Sequence, residues 1–528
     1  MTSEPSSITH GKQEPRTPPA FLTLSTLFGF FLVAFLSVSS GIIASSDGVT
    51  IFNVTEALVE RGEIAVKGDN VAARVGGKLY SRYGIGLSLA AIPFYLLGKA
   101  MTLFSPAHLD PLVLKGAVSI TNAAIGALAC ILLFLAALRL GYSHGVAFLL
   151  TVAFAFSTFF VVYATKSFLT QPLETLSMLG SIYHLIRSRG DGIRRRPSYA
   201  GLFAGVGILT KWFFVINLPI LTVYLLITSV RGRRVRDLVF FSIPVGMAFA
   251  LGLGYNYMRF GSVWQAGYAG ILSFSTPLFV GLYGLLLSSG KSLFLYAPIT
   301  LLGVASLKPF AKDRKYEMWL FLGLLLVNLL VVSKFYDWSG EGAWGPRYLT
   351  LVLPCLILPI GSLLEGGSRT IKRCFIGLML LGVLVQFGGL SVYYGTYYRT
   401  IGEFPYQRER EDPLFLYKVR YIPNYSPVWG QFDMAVRNWK VFVSGEKPVF
   451  EIKESDERIP LPETDRNKLS ETLDLWFAYA YYAGVPLGLC LIGMVGLIAG
   501  AVALGSTATR SYRGSSRPRP RIWGGSED

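Results

Sequence analysis

Cysteine is scarce in this chain: four in 528 residues, at Cys130, Cys355, Cys374 and Cys490, all in or beside apolar stretches. No Cys-x-x-Cys pair occurs, so neither a disulfide framework nor a thiolate metal pair is available. Charge is thin as well. Charged residues make up 15% of the sequence against 52% hydrophobic, and the mean hydropathy is +0.48. That balance, with many long apolar runs, predicts a polytopic membrane protein. Acid is the scarcer sign, which leaves a formal net charge of +17. The bases cluster in short gaps between apolar runs, as in cytoplasmic loops, so the excess reflects membrane topology and no nucleic-acid partner is expected. No repeat of solenoid period is present.

Residues 1–20 are polar and Pro-containing and read as a disordered cytoplasmic tail. Segment 21–44 is too long for a signal-peptide core and is taken as a retained helix. Further runs long enough to span lie at 112–138, 144–164, 170–187, 238–258, 290–307, 316–334, 347–365, 371–395 and 476–505. Two stretches, 84–104 and 199–229, fit more than one topology. Both are settled by placing the basic clusters on one side: Lys12/Arg16, Arg139, Arg187 to Arg196, Arg231 to Arg236, Lys308 to Lys315, Arg369 to Arg373 and Arg510 to Arg521. Then 199–229 crosses twice, and 84–104 is a re-entrant or interfacial piece. One helix over 199–229 would bury Lys211 in hydrocarbon, at about 2.5–3.5 kcal/mol.

The expected fold is an all-α polytopic bundle of about twelve transmembrane helices in the plasma membrane, with both termini cytoplasmic. A transmembrane region over 21–395 contains a first external loop, 45–110, with surface helices. An extracytoplasmic segment, 396–475, is expected to form a small α+β cap. A last transmembrane helix, 476–506, precedes a basic cytoplasmic tail, 507–528.

This topology gathers Asp47, Arg82, Lys166, Glu174, Lys211, Lys291, Asp337, Glu341 and Arg347 at the outer face. Ionisable residues collected at one end of a membrane bundle mark function. After Asp47, the residues Ile51, Val54, Leu58 and Phe52, Thr55, Val59 recur at helical spacing, which predicts a surface helix stopped at Gly62. Asp47 itself suits a general base that deprotonates a hydroxyl, or a helix N-cap. Pro172 suits a helix start and places Glu174 one turn in, as a second site carboxylate or a dipole-favoured acid. Lys211 would grip a phosphate as a point charge, or snorkel to the interface.

The stretch from Tyr336 to Tyr348 is the most specific in the chain. Its glycines allow tight turns, Trp338 and Trp344 offer faces to a sugar or to the interface, and Arg347 carries a fork that matches phosphate oxygens. Lys291 lacks the glycine spacing of a nucleotide loop and reads as another external phosphate contact. His184 reads as structural. The sequons at Asn53 and Asn424 carry little weight.

Asp47 after the first span, Arg82-Tyr83-Gly84-Ile85, Leu209-Thr210-Lys211 in a helical break, and Gly345-Pro346-Arg347-Tyr348-Leu349 together resemble the GT-C class of membrane glycosyltransferases. The nearest in style are the polyprenyl-phosphate-sugar-dependent enzymes, such as protein O-mannosyltransferases and lipid A aminoarabinose transferases. The resemblance covers most of the chain to about residue 395. It implies an extracytoplasmic active site and hexosyl or pentosyl transfer from a lipid-linked donor. The acceptor would be a hydroxyl on a lipid, glycan or protein. Carried onto this sequence, Asp47 is the catalytic base and Glu174 a second catalytic acid. Lys211 matches the lysine that meets donor phosphate, and Arg347 is a donor or acceptor contact. Read from the residues themselves, Arg82, Lys291 and Arg347 join Lys211 at the phosphate, while Lys166, Tyr83, Asp337, Trp338, Glu341 and Trp344 contact substrate. Gly48 stands where relatives often carry a second acid, which leaves a divalent metal open, and Arg82-Tyr83-Gly84 stands in place of Lys-Pro-Pro. The rivals are a transporter or flippase for a lipid-linked glycan, and a non-catalytic module that binds one.

Overall fold

The computed structural model describes residues 21–67, 72–166, 168–191, 196–267, 273–401, 416–446 and 472–515. The expected tails, apart from the short stretch 507–515, lie outside these. Helix α1 (Phe21–Ser37) leads into the first external loop. There α2 (Ser46–Arg61) ends at Gly62, φ 64°, as its spacing predicts. Ile51, Phe52 and Val54 are at most 4% exposed, while Glu60 reaches outward to Lys99 at 2.9 Å. Burying each of these apolar side chains from water is worth about 1.5–3 kcal/mol.

Strands β1 (Ala65–Val66), β2 (Ala72–Val75) and β3 (Lys78–Ser81) follow, antiparallel in the order β1-β3-β2. Helix α3 (Gly86–Thr102) then packs on α2.

The bundle continues through α4 (Asp110–Arg139), α5 (His144–Phe156), α6 (Phe160–Thr165), α7 (Gln171–Asp191) and α8 (Arg196–Thr210). After a short break come α9 (Leu218–Thr228), α10 (Arg234–Phe260), α11 (Leu278–Leu286), α12 (Leu293–Tyr296), α13 (Ile299–Asp313) and α14 (Lys315–Lys334). A mixed helical run from Arg347 to Leu364 holds α15 (Leu353–Ile357) and α16 (Gly361–Leu364) and precedes α17 (Arg369–Ser391). Every expected span overlaps helix in part, and 199–229 is broken at Lys211 as expected.

By length and composition six helices suffice to cross a membrane, among the described residues: Asp110–Arg139, Arg231–Phe260, Lys315–Lys334, Arg347–Leu364, Arg369–Ser391 and Leu487–Thr507. Helix α7 is long enough, at 21 residues, but too polar to count, and two other expected spans are broken for local reasons. Segment 144–164 is interrupted between α5 and α6, where the Ser157 and Thr158 hydroxyls bond back to carbonyls. The helix expected from 290 starts only after Pro298.

The expected α+β cap is not what the described part of 396–475 shows. It is helical: α18 (Tyr394–Thr400), α19 (Tyr417–Tyr421) and α20 (Pro427–Val443). Val441-Phe442-Val443, which looks strand-like alone, is the last turn of α20. Val428, Gln431, Met434, Ala435, Asn438 and Phe442 are buried at three- and four-residue steps, so helical periodicity prevails. The last expected span is split into α21 (Trp476–Tyr482) and α22 (Leu487–Ser515), with Gly484 at φ 110° and Pro486 between them. Helix α22 also runs through the start of the expected tail.

Apolar burial gives little drive between helices in lipid, so packing and polar contacts matter. Asn122 donates to the Leu169 carbonyl at 2.9 Å, and Asn328 to Asn217 Oδ1 at 2.6 Å. Residues 472–476 tie distant segments together. Lys166 donates to the Asp474 carbonyl, Asp474 N–H to Ser391 O at 2.8 Å, and Trp476 N–H to Ser39 O at 2.9 Å. Burial draws the Lys166 ammonium down to about 8 and pushes the Asp474 carboxyl up. Helix α22 packs along α1.

Candidate active site

Asp47 lies in the first turn of α2. Ser45 is the N-cap, its hydroxyl accepting from Gly48 N–H at 3.1 Å, so Asp47 is not the cap and its carboxylate is left for other contacts. That carboxylate meets Arg347 from a position 300 residues away: Arg347 Nη1 donates to Asp47 Oδ2 at 3.4 Å. The two side chains are 16% and 24% exposed, a partly screened pair at the edge of an opening.

The second pair comes from the α7 start and the α8 end. Lys211 adopts an extended backbone, φ −156° and ψ 122°, which stops α8 and turns the side chain aside. Its Nζ is 3.6 Å from Glu174 Oε1. Glu174 also accepts from Thr170 Oγ1 at 2.6 Å. Tyr348 joins the two pairs. Lys211 Nζ lies 4.6 Å from its ring centroid and Arg347 Cζ 5.0 Å. Its hydroxyl accepts from Arg347 Nη2 at 3.1 Å and donates to Asp337 Oδ2 at 3.2 Å. A ring quadrupole between two cations draws both to one place.

Asp337 Oδ1 also accepts from Glu341 N–H at 3.0 Å, closing a turn in which Glu341 has φ 54°. A left-handed side-chain residue costs on the order of 1–3 kcal/mol and persists only where its surroundings hold it. This turn forms one wall of a shallow, open cleft. Its lining includes Ser45, Ser46, Asp47, Gly340, Glu341 and Arg347.

The structure therefore brings together Asp47, Arg347, Lys211, Glu174, Asp337 and Glu341. Glu174 faces Lys211 and is not part of the cleft lining. Lys291 is wholly buried, its ammonium on the Ala343 carbonyl behind the wall. Lys166 is equally inaccessible, at 1% exposure. Trp338 and Trp344 do not offer open faces as expected. They are 2% and 1% exposed, Trp338 packed by Tyr421 and Trp344 against Tyr296 with its Nε1 donating to Gln386 Oε1 at 2.9 Å.

Tyr83 gives its carbonyl to Arg259 at 3.0 Å. Arg82 is half-buried, its Cγ 3.2 Å from where a Cβ on Gly267 would stand, and it does not line the cleft. The 82–86 segment nevertheless lies against the break that presents Lys211. A Cβ on Gly84 would come within 2.2 Å of Leu209 O and 2.6 Å of Thr210 O. Backbone cannot yield there, so Gly84→Ala is expected to destabilise by about 1–3 kcal/mol. An unchanged thermal midpoint in detergent would contradict this packing.

Sequence reasoning missed Tyr348, Leu169 and the Tyr393-Tyr394-Gly395 end of the cleft. Tyr348 carried a usable signal, since it adjoins Arg347 in the most specific stretch. Among the described residues, no group of three or more His, Cys, Asp or Glu is arranged to hold a metal ion.

No protein-family model matches the chain, and no curated protein matches it by sequence. Among solved structures it is similar to ArnT from Cupriavidus metallidurans bound to undecaprenyl phosphate. The TM-score is 0.45 at 15% identity, over 94% of this chain and 77% of that one. The apo state of the same protein gives 0.45 and 15%, over 93% and 74%. The archaeal oligosaccharyltransferase AglB from Archaeoglobus fulgidus, in complex with an inhibitory peptide and a dolichol-phosphate, gives 0.44 and 11%, over 73% and 60%.

Proposed function

We propose that this chain is a GT-C-type membrane glycosyltransferase. It moves one sugar from a polyprenyl- or dolichyl-phosphate carrier to a hydroxyl of a lipid, glycan or protein acceptor at the outer membrane face. The observation that supports this is the convergence of Asp47, Arg347, Lys211 and Glu174 around Tyr348 beside an open cleft.

In the reaction, Asp47 takes the proton of the acceptor hydroxyl as its oxygen bonds to the anomeric carbon. The bond from that carbon to the carrier phosphate breaks, and its electron pair leaves on the phosphate. Arg347 offers a fork and Lys211 a point charge to the phosphate oxygens. One well-placed group of this kind is worth about 2.7–4 kcal/mol at the transition state. Glu174 and the Tyr348 ring hold the Lys211 ammonium in place. The transporter reading expects ionisable groups near the bilayer midplane. Here Glu174 is in the first turn of α7, Lys211 follows the last residue of α8, and Arg347 opens its helical run.

Purified full-length protein incubated with a panel of radiolabelled polyprenyl-phosphate sugars and membrane lipid extract is expected to move label into a new product. Donor binding without transfer from any donor would leave a binding module instead. Lys211→Ala is expected to weaken binding of polyprenyl phosphate about 10–100-fold, the loss of one charged hydrogen bond. Unchanged affinity would count against the phosphate contact.

A further inference from the structure

The extracytoplasmic segment reaches the cleft wall from behind. Its backbone meets the 288–291 loop with no room to spare: a Cβ on Gly290 would fall 1.7 Å from Val419 O. Gly290 N–H donates to Arg420 O at 3.2 Å, and Ser426 Oγ to Ser289 O at 2.6 Å. This docking sets the Arg420 guanidinium 5.4 Å from the ring centroid of Trp338. Tyr421, the next residue, lies 6.2 Å from the same ring.

Trp338 is the second residue of the Asp337–Glu341 turn, and Lys291 from the docked loop holds Ala343 just beyond it. The turn is costly by itself. It holds two acids within five positions and a side-chain residue in the left-handed region. A cation stacked on its only ring and attracted to both carboxylates opposes that cost.

We propose that Arg420 is a positioning residue for the cleft. Its guanidinium, stacked on Trp338, holds the Asp337–Glu341 turn in the conformation that makes Glu341 part of the cleft wall. The segment around Arg420 thus shapes the site from behind its wall.

Amide hydrogen exchange of the full-length protein tests this without substrate. Arg420→Gln is expected to speed exchange in residues 337–345 about tenfold or more, with α14 and α17 unchanged. Arg420→Lys, which keeps the charge, is expected to recover most of the protection. Unchanged exchange at 337–345, or an equal rise in α14 and α17, would overturn the proposal. A kinetic arm rests on the transferase reading. There Arg420→Gln is expected to raise the acceptor KM while donor KM and kcat stay near wild type, and a fall confined to kcat would overturn it. If wild-type protein shows no transfer, that reading alone fails, and the exchange arm still decides the role of Arg420.

Discussion

Asp47→Asn is expected to lower sugar transfer about 10²–10⁴-fold, the usual contribution of a positioned base. Asparagine keeps the size of the side chain and can still accept a hydrogen bond from Arg347, so the cleft should keep its shape. Affinity for polyprenyl phosphate should therefore stay within a few-fold, or rise, because a carboxylate has been removed from beside the Arg347 guanidinium. The combination separates chemistry from binding. Donor affinity is read by isothermal titration and transfer by single-turnover label release. A variant with full transfer removes Asp47 from the reaction. A variant that loses donor affinity as steeply as transfer would make it a structural acid.

Arg347→Lys is the second large effect, expected at about 10²–10³-fold in kcat. The charge is retained, so a reading based on charge alone expects little change. The guanidinium, however, spans two partners at once, Asp47 through Nη1 and the Tyr348 hydroxyl through Nη2, while lying over the Tyr348 ring. A lysine is a point charge on a flexible stem and cannot hold that geometry. Because Asp47 and Arg347 touch, the two substitutions together should cost much less than the product of their separate effects. Full additivity in the double variant would mean that the two residues act independently, against the contact seen here.

Much of the architecture was legible because hydrophobic runs in a membrane chain report helices directly. The break at Lys211 followed from the cost of burying an ammonium, and the stop at Gly62 from backbone geometry. The convergence of Asp47, Lys211, Glu174 and Arg347 followed from counting sides of the membrane, because all four were placed on one face. The misreadings have a common cause. Trp338, Trp344, Lys166 and Lys291 look like open contacts in the sequence because polar and aromatic residues near a membrane face suit a cleft. Each instead has a partner supplied by remote sequence: Tyr421, Gln386, Asp474 and Ala343. No local pattern in the sequence announces such a partner. The helix at 427–443 is legible only when its buried positions are read together, at three- and four-residue steps from Val428 to Phe442.

The stitching of Ser39, Lys166, Ser391 and Asp474 bears on how the protein comes into being. Most helices could enter the bilayer one after another as they leave the ribosome. The knot cannot be tied until residue 476 has been made, more than 300 positions after Lys166. A nascent chain that ends between α17 and residue 472 would hold the acids and bases of the cleft without the strap that joins their supports. The finished arrangement would thus arise in one late step, with the final helix as its clasp.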